Sequence, residues 1–192
     1  MVSPCRPSEL SAIDSETLYR RYAQFVTSFL YRLGVRGADL EDLVQEVFMT
    51  AHRKQGYLPG AASPTTFLAR LALEARHAAR RRSSRWLRAQ DEDLSSASMA
   101  VGPASPERSL ATREAAQQLE KILQSIEPGA RAVFVLFELE GQSCDAIAAG
   151  LDLKLGTVYS RLHSARKVFQ RHALRDGRRA SVALDPSTEK PQ

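Results

Sequence analysis

The chain has 192 residues, of which 27 are Lys or Arg and 22 are Asp or Glu, for a formal charge of +5. At roughly 100–200 residues per domain this allows one domain or two small ones, and 43% hydrophobic residues suffice for a core. The longest apolar run, Ala132–Phe137, is far short of the about 20 residues a membrane span needs, and residues 1–10 lack the apolar stretch of a secretory signal. Cys5 and Cys144, the only cysteines, cannot form a disulfide framework or a cysteine zinc site. A cytoplasmic protein is expected.

Apolar spacing is helical throughout and strand signals are weak, which predicts an all-α fold. A first helix is expected from about Glu16 to Leu33, capped by Asp14 or Ser15 and stopped at Gly34. A second runs from about Leu40 to Gln55, with Asp39 as N-cap and Gly56 as stop; Leu40, Leu43, Val44, Val47, Phe48 and Ala51 form its apolar stripe. Its other face carries Asp42, Gln45, Glu46 and Met49, a spacing that an ordinary solvated acidic face also explains. After a loop over 57–62, Ser63-Pro64 reads as N-cap and first helical residue of a third helix reaching about Ser83. Leu68, Leu71, Ala72, Ala75 and Ala79 take one side of it, and Arg70, Glu74, His77 and Arg81 the other.

Residues 89–109, rich in Ser and Ala with Pro103 and Pro106, lack periodicity and are too many for a connection inside a compact domain. They predict a flexible linker over 89–110 between a domain at 14–88 and a second at 111–175, followed by a polar tail over 176–192. The second domain should hold four helices. Leu119–Ile126 marks the first; Pro128-Gly129 breaks it from a second containing Ala132–Leu139; Ser143 caps a short third over Cys144–Gly150; the fourth runs from about Gly156 to His172.

Charge is distributed unevenly. Arg80, Arg81, Arg82, Arg85 and Arg88 form an acid-free cluster, Asp91, Glu92, Asp93 and Glu107 follow, and basic residues return from Lys154 to Arg179. Two basic zones fit a bipartite polyanion binder, although solvated surface has the same composition. The segment Ser143–Arg166 has the layout of a helix-turn-helix, with Ile147, Ala148, Leu151, Leu153, Val158, Leu162 and Ala165 where the helices must cross. With Val158 inward, the last helix turns Ser160, His163, Ser164 and Lys167 outward, flanked by Thr157 and Arg161 on one side and Tyr159 and Arg166 on the other. Such a face offers donors for base edges and cations for phosphates, with no carboxylate to repel the backbone. A solvated basic helix is the plain alternative.

Gly156-Thr-Val-Tyr-Ser-Arg-Leu-His-Ser-Ala-Arg166 resembles the end of region four in bacterial RNA polymerase sigma factors, where the pattern is close to Gly-Thr-Val-Lys-Ser-Arg-Leu-His-Arg-Ala-Arg. Pro128–Gly141 and Ser143–Ala148 are similar to the segments preceding it. Independently, Leu40-Glu-Asp-Leu-Val-Gln-Glu-Val-Phe48 resembles the Asp-Leu-Val-Gln-Glu-Val-Phe stretch of region two. The two blocks cover roughly residues 16–86 and 111–172, and their compact layout resembles the extracytoplasmic function (ECF) group of the sigma-70 family. The resemblance implies a non-enzymatic factor without cofactors, which binds core RNA polymerase (β′ clamp helices and β flap) and promoter DNA and is held by an anti-sigma factor.

Residue by residue, it implies polymerase binding by Asp42, Gln45, Glu46 and Met49. It implies −35 recognition by Lys154, Thr157, Tyr159, Ser160, Arg161, His163, Ser164 and Lys167, and −10 binding by Arg70, His77, Arg80, Arg81 and Arg82. The loop Tyr57–Ser63 stands where the family holds a flipped −10 base. The chain departs from the pattern at several points. Phe67-Leu68 replaces Trp-Leu, Glu74 and Ala78 stand where Asn and Asp are frequent, Asp152 replaces a turn Gly, and Tyr159 replaces a frequent Lys. A stand-alone helix-turn-helix regulator is the alternative reading, but it would have no use for the Leu40–Phe48 helix. No metal-ligand spacing, Walker loop or Gly-x-Ser-x-Gly is present, and His52, His77, His163 and His172 are scattered.

Overall fold

The computed structural model describes the backbone of residues 12–60, 62–89 and 110–183, and side chains within 12–60, 62–82 and 115–172. The expected linker, apart from Ala89 and Leu110, lies outside the described residues, as do Cys5 and residues 184–192. Within these bounds the fold is helical, with one isolated antiparallel bridge between Ile13 and Tyr57.

Helix α1 (Ser15–Arg32) starts where Asp14 accepts the Thr17 amide and hydroxyl, both at 2.9 Å. Those two bonds hold the Asp14 carboxyl below the usual carboxylate range. It ends at Gly34, whose φ of +93° suits glycine. Helix α2 (Gly37–Arg53) begins earlier than expected. Its N-cap is Arg36, which supplies no side-chain cap, and Asp39 instead adds negative charge to the first turn, where the helix dipole favours it. Helix α3 (Pro64–Ala89) opens on a reciprocal cap: Ser63 Oγ accepts the Thr66 amide at 3.2 Å while Thr66 Oγ1 accepts the Ser63 amide at 2.9 Å. It runs past Ser83 to Ala89.

In the second half, α4 (Leu110–Gln124) leads into α5 (Pro128–Phe134), where the Glu127 carboxylate caps the Gly129 and Ala130 amides, both at 2.9 Å. The helix continues as a π turn over Val135–Leu139, closed by a bond from the Glu140 amide to the Val135 carbonyl at 3.1 Å. Periodicity at 3.6 residues cannot reveal such an extra residue. Helix α6 (Cys144–Leu151) is capped by Ser143, as expected. Helix α7 (Leu155–Ala183) runs beyond His172 and past the boundary expected at 175. The first part of the expected polar tail is therefore helical.

The apolar stripes meet as expected: Leu18, Val26, Phe29, Leu30, Leu43, Val47, Leu68 and Ala72 in the first half, Leu123, Val133, Leu136, Ile147, Val158 and Leu162 in the second. The two halves also lie against each other, and their buried residues form one continuous cluster. α3 lies against α6 so closely that a Cβ on Gly150 would stand 2.3 Å from Thr66 Cβ. Around this contact the Ser63 hydroxyl donates to Gln142 Oε1 at 2.6 Å, and Arg32 pairs with Glu140 at 2.8 Å. Arg36 pairs with Glu120. Composition marked the boundary between the halves but carried no sign of this seam.

Candidate nucleic-acid and polymerase interfaces

The helix-turn-helix forms as its pattern requires. Ile147, Val158, Leu162 and Ala165 are buried at the crossing of α6 and α7, with Ala148, Leu151 and Leu153 packed partly around them. The turn depends on Asp152, the C-cap of α6, at φ +54° and ψ +50°. Asp is among the few residues other than Gly that adopt this left-handed conformation at modest cost. The Asp152 amide and the Leu153 amide, the latter at 2.9 Å, both donate to the Ala148 carbonyl, which closes the end of α6.

On α7 the outer face is open. Tyr159, Ser160, His163, Ser164 and Lys167 are exposed, Tyr159 by 55%, as is Lys154 just before the helix, and Thr157 is half-buried. The Ser160 hydroxyl donates to Thr157 O at 3.0 Å, leaving its lone pairs free. Arg161 is less available than the pattern suggested. It is half-buried, and its guanidinium carbon lies 3.3 Å from the position of a Gly129 Cβ. There it faces Glu127, whose carboxyl is held below its ordinary value first by the Gly129 amide and further by Arg161 and Arg131. Arg161 thus ties α7 to the start of α5. Arg166 is likewise engaged, pairing with Glu138 at 2.7 Å and lying over the Phe137 ring.

The α3 face differs. Arg70, His77, Arg80, Arg81 and Arg82 are all exposed along one helix, and Arg70 and Arg82 are tied to acids. Arg70 pairs with Glu74 at 2.9 Å, and Arg82 pairs with Glu46 of α2 at 3.1 Å. The second pair joins a residue expected to bind DNA to one expected to bind polymerase. Glu74 therefore neutralises its own helix neighbour. The loop before α3 is braced from within. Tyr57 is 2% exposed, packs at a tilt beside Phe67 and donates its hydroxyl to Ala62 O at 2.6 Å, so its ring braces the loop.

On α2, Asp42, Gln45 and Met49 are exposed and Glu46 is half-buried beside Arg82. Gln45 and Met49 line an open groove of about 1370 Å³ between α1 and α2, together with Tyr19, Leu40, Glu41, Val44 and Phe48. Asp42 and Glu46 lie outside it. The sequence reading missed Tyr19, which is 54% exposed and packs edge-on against Phe48 at 5.0 Å between ring centroids. Helical spacing assigns Tyr19 to neither face by itself; its exposure beside a buried aromatic is a tertiary fact.

Comparison with known proteins bears on these faces. The sigma-70 region 2 family model matches residues 18–91, and the sigma-70 region 4 model matches residues 116–168. The chain is 30% identical over 155 residues to the ECF RNA polymerase sigma-E factor of Escherichia coli, covering 78% of this chain and 81% of that protein. The chain belongs to the ECF sigma factors. It is also 35% identical over 154 residues to the ECF RNA polymerase sigma factor SigE of Mycolicibacterium smegmatis, 79% of this chain and 58% of that protein. The fold matches that of the sigma factor RpoE from Bartonella quintana, solved in complex with the anti-sigma factor NepR, with a TM-score of 0.67 at 23% identity over 82% of this chain and 95% of that one. It also matches CnrH, solved with the cytosolic domain of CnrY, with a TM-score of 0.57 at 22% identity over 85% and 88%.

As an ECF sigma factor the chain is a transcription initiation factor and not an enzyme, and it works with core RNA polymerase at promoters. Region two coincides with α1–α3 and region four with α4–α7 up to Val168. The stand-alone regulator is set aside by the region-two match. Among the described residues no helix is long and apolar enough to cross a membrane.

Proposed function

We propose that this sigma factor reads the −35 element with the outer face of α7, binds the −10 region along α3, and docks on core polymerase through α2. The observation that carries the −35 assignment is the acid-free, solvent-facing row Lys154, Tyr159, Ser160, His163, Ser164 and Lys167, set directly after a stable left-handed turn. Residues near the start of such a helix lie closest to base edges, and later cations reach phosphates. Thr157 stands at that start, and Arg161 serves mainly to hold the helix against α5. Along α3, Arg70, His77, Arg80, Arg81 and Arg82 form a basic ridge suited to duplex or opened strands, weakened at Arg70 by Glu74.

On α2, exposed Met49 beside Gln45, both lining an apolar groove, suits a contact with a helical partner such as the β′ clamp helices, with Asp42 and Glu46 on the same helix outside the groove. Region four would meet the β flap. The sigma factor RpoE solved with its anti-sigma factor NepR, and CnrH solved with the cytosolic domain of CnrY, support an anti-sigma partner and a cytoplasmic location for this chain too.

The test is to mix the full chain with core bacterial RNA polymerase and genomic fragments and to sequence transcript starts. Discrete starts sharing two upstream motifs are expected. His163→Ala should blur the distal motif, and Asp42→Arg should reduce polymerase association while the protein stays folded. Starts that keep the same distal motif after α7 substitutions would refute the −35 assignment.

A further inference from the structure

Arg76 is the anomaly of α3. Every other arginine of that helix whose side chain is described is exposed, yet Arg76 is 91% buried by its 9% residual exposure, and no carboxylate among the described residues forms an ion pair with it. Its electrostatic neighbours are cations. Arg80 lies one turn on, and Arg131 of α5, itself 4% exposed, is close enough that the two repel. Arg131 has compensation, donating to Gln124 Oε1 at 2.6 Å and to the Gln124 and Ile126 carbonyls at 2.9 Å. Burial pushes both guanidinium groups down from their ordinary values. A desolvated cation beside other cations is an expense that a fold tolerates only when something else drives the packing.

What drives it is the seam between the halves. By helical angle Arg76 lies on the α3 flank between Ala72, which faces the region-two core, and Thr66, which touches Gly150. The Ser63–Gln142, Arg32–Glu140 and Arg36–Glu120 contacts close the seam around it. The closed arrangement also cannot serve both promoter elements. From His77 on α3 through the Thr66–Gly150 contact to His163 on α7 the chain reaches less than about 60 Å, whereas elements centred about 25 base pairs apart at 3.4 Å per pair are about 85 Å apart. The halves must part for both faces to engage one promoter.

We infer that Arg76 is a DNA-phosphate contact of α3 that the docked region four conceals, so that parting of the two halves adds a cation to the −10 ridge. This rests on the proposed DNA-binding role of α3. On parting, the guanidinium regains solvent, loses the repulsion of Arg131, and joins Arg80 on a face open to a phosphate.

The test uses the full chain, a fluorescent single-stranded oligonucleotide of random sequence, and titrations at several salt concentrations, with particle dimensions from small-angle scattering. Gly150→Ala opens the seam sterically, because its Cβ would collide with Thr66; Glu120→Gln combined with Glu140→Gln opens it by removing two ion pairs and guards against a folding defect in the first variant. Both should expand the particle and bind several-fold more tightly, with a salt slope steeper by about 0.7 from the one extra phosphate contact. Arg76→Gln should change wild-type binding little and remove that Arg76-dependent increment in each opened variant. Three results would overturn the inference: unchanged dimensions in both opened variants, equal losses from Arg76→Gln in the closed and opened chains, or no loss in the opened ones. If Arg80→Gln also leaves binding unaltered in every background, the reading of α3 as a DNA helix fails instead.

Discussion

Helices α3 and α7 carry the two basic faces of this sigma factor, and they are built on opposite terms. On α7 the outward row Lys154, His163 and Lys167 has no ion pair among the described residues, while its flanking arginines brace the helix against α5 and the π turn. On α3 three cations are engaged within the protein: Arg70 pairs with Glu74 and Arg82 with Glu46 at the surface, and Arg76 is buried in the seam. Helix α7 is thus presented for readout as it stands, whereas α3 must release its carboxylate partners and uncover Arg76 before it offers its full charge. The difference shows that a count of arginines overstates a face's reach for phosphate when neighbouring carboxylates and a second domain already hold them.

The largest expected effect tests whether these two helices belong to one cooperative body. Ile147→Ala under α7 and Phe29→Ala in region two each remove a fully buried side chain from the shared cluster. Each should cost about 2–5 kcal/mol, and far- and near-ultraviolet circular dichroism should melt together in both. Two separated transitions, only one shifted by each substitution, would show that the halves unfold independently.

Next comes the contrast in available charge. Lys167→Ala should lower −35 duplex affinity and reduce the salt slope by about 0.9, the value for one lost phosphate contact. Arg70→Ala should have a smaller effect on −10 DNA than Glu74→Gln has in the opposite direction, because the latter releases Arg70 from its pair. Filter binding across a salt series decides; equal slopes for Lys167→Ala and Arg70→Ala would erase the distinction.

Asp152→Gly should stabilise the helix-turn-helix by about 1 kcal/mol or less, since glycine adopts the left-handed turn without steric cost. Denaturant midpoints of the two proteins check this, and a lower midpoint for Gly would show that the Asp152 side chain contributes more than conformation.

The smallest effect is on pH. The folded Glu127 carboxyl titrates below its unfolded value, so its contribution is complete above the unfolded value of about 4.5 and disappears as pH falls through the lower folded value. Because the group is mostly solvated, the loss is a fraction of the about 1 kcal/mol typical of a helix cap. Glu127→Gln should flatten this part of the acid limb of stability; an unchanged limb would assign it to other carboxylates.

Much of this was legible in the residues. Asp14, Ser143 and Ser63-Pro64 announce helix starts because their side chains satisfy amides only a few residues away. The stripes Leu40–Ala51 and Val158–Ala165 announce burial because helical period and apolarity coincide locally. The outward row of α7 follows from the same period. Other features lay beyond such signals. The start of α2 at Gly37 has no side-chain cap to mark it, the π turn departs from the period by one residue, and Tyr57 looked like any loop aromatic until its ring was seen packed on Phe67.

The sequence by itself therefore determined the helices, their inward stripes, the helix-turn-helix and the family, since each depends on interactions spanning a few residues or on a pattern carried along the chain. Only the tertiary structure decided which charges are free. The Arg82–Glu46 and Arg36–Glu120 pairs, the Arg161–Glu127 approach and the burial of Arg76 join residues 34 to 84 positions apart or elements of different domains. No local period encodes such meetings. They follow from how closely α3 and α6 approach, and that approach is set by the absence of a side chain at Gly150 opposite Thr66.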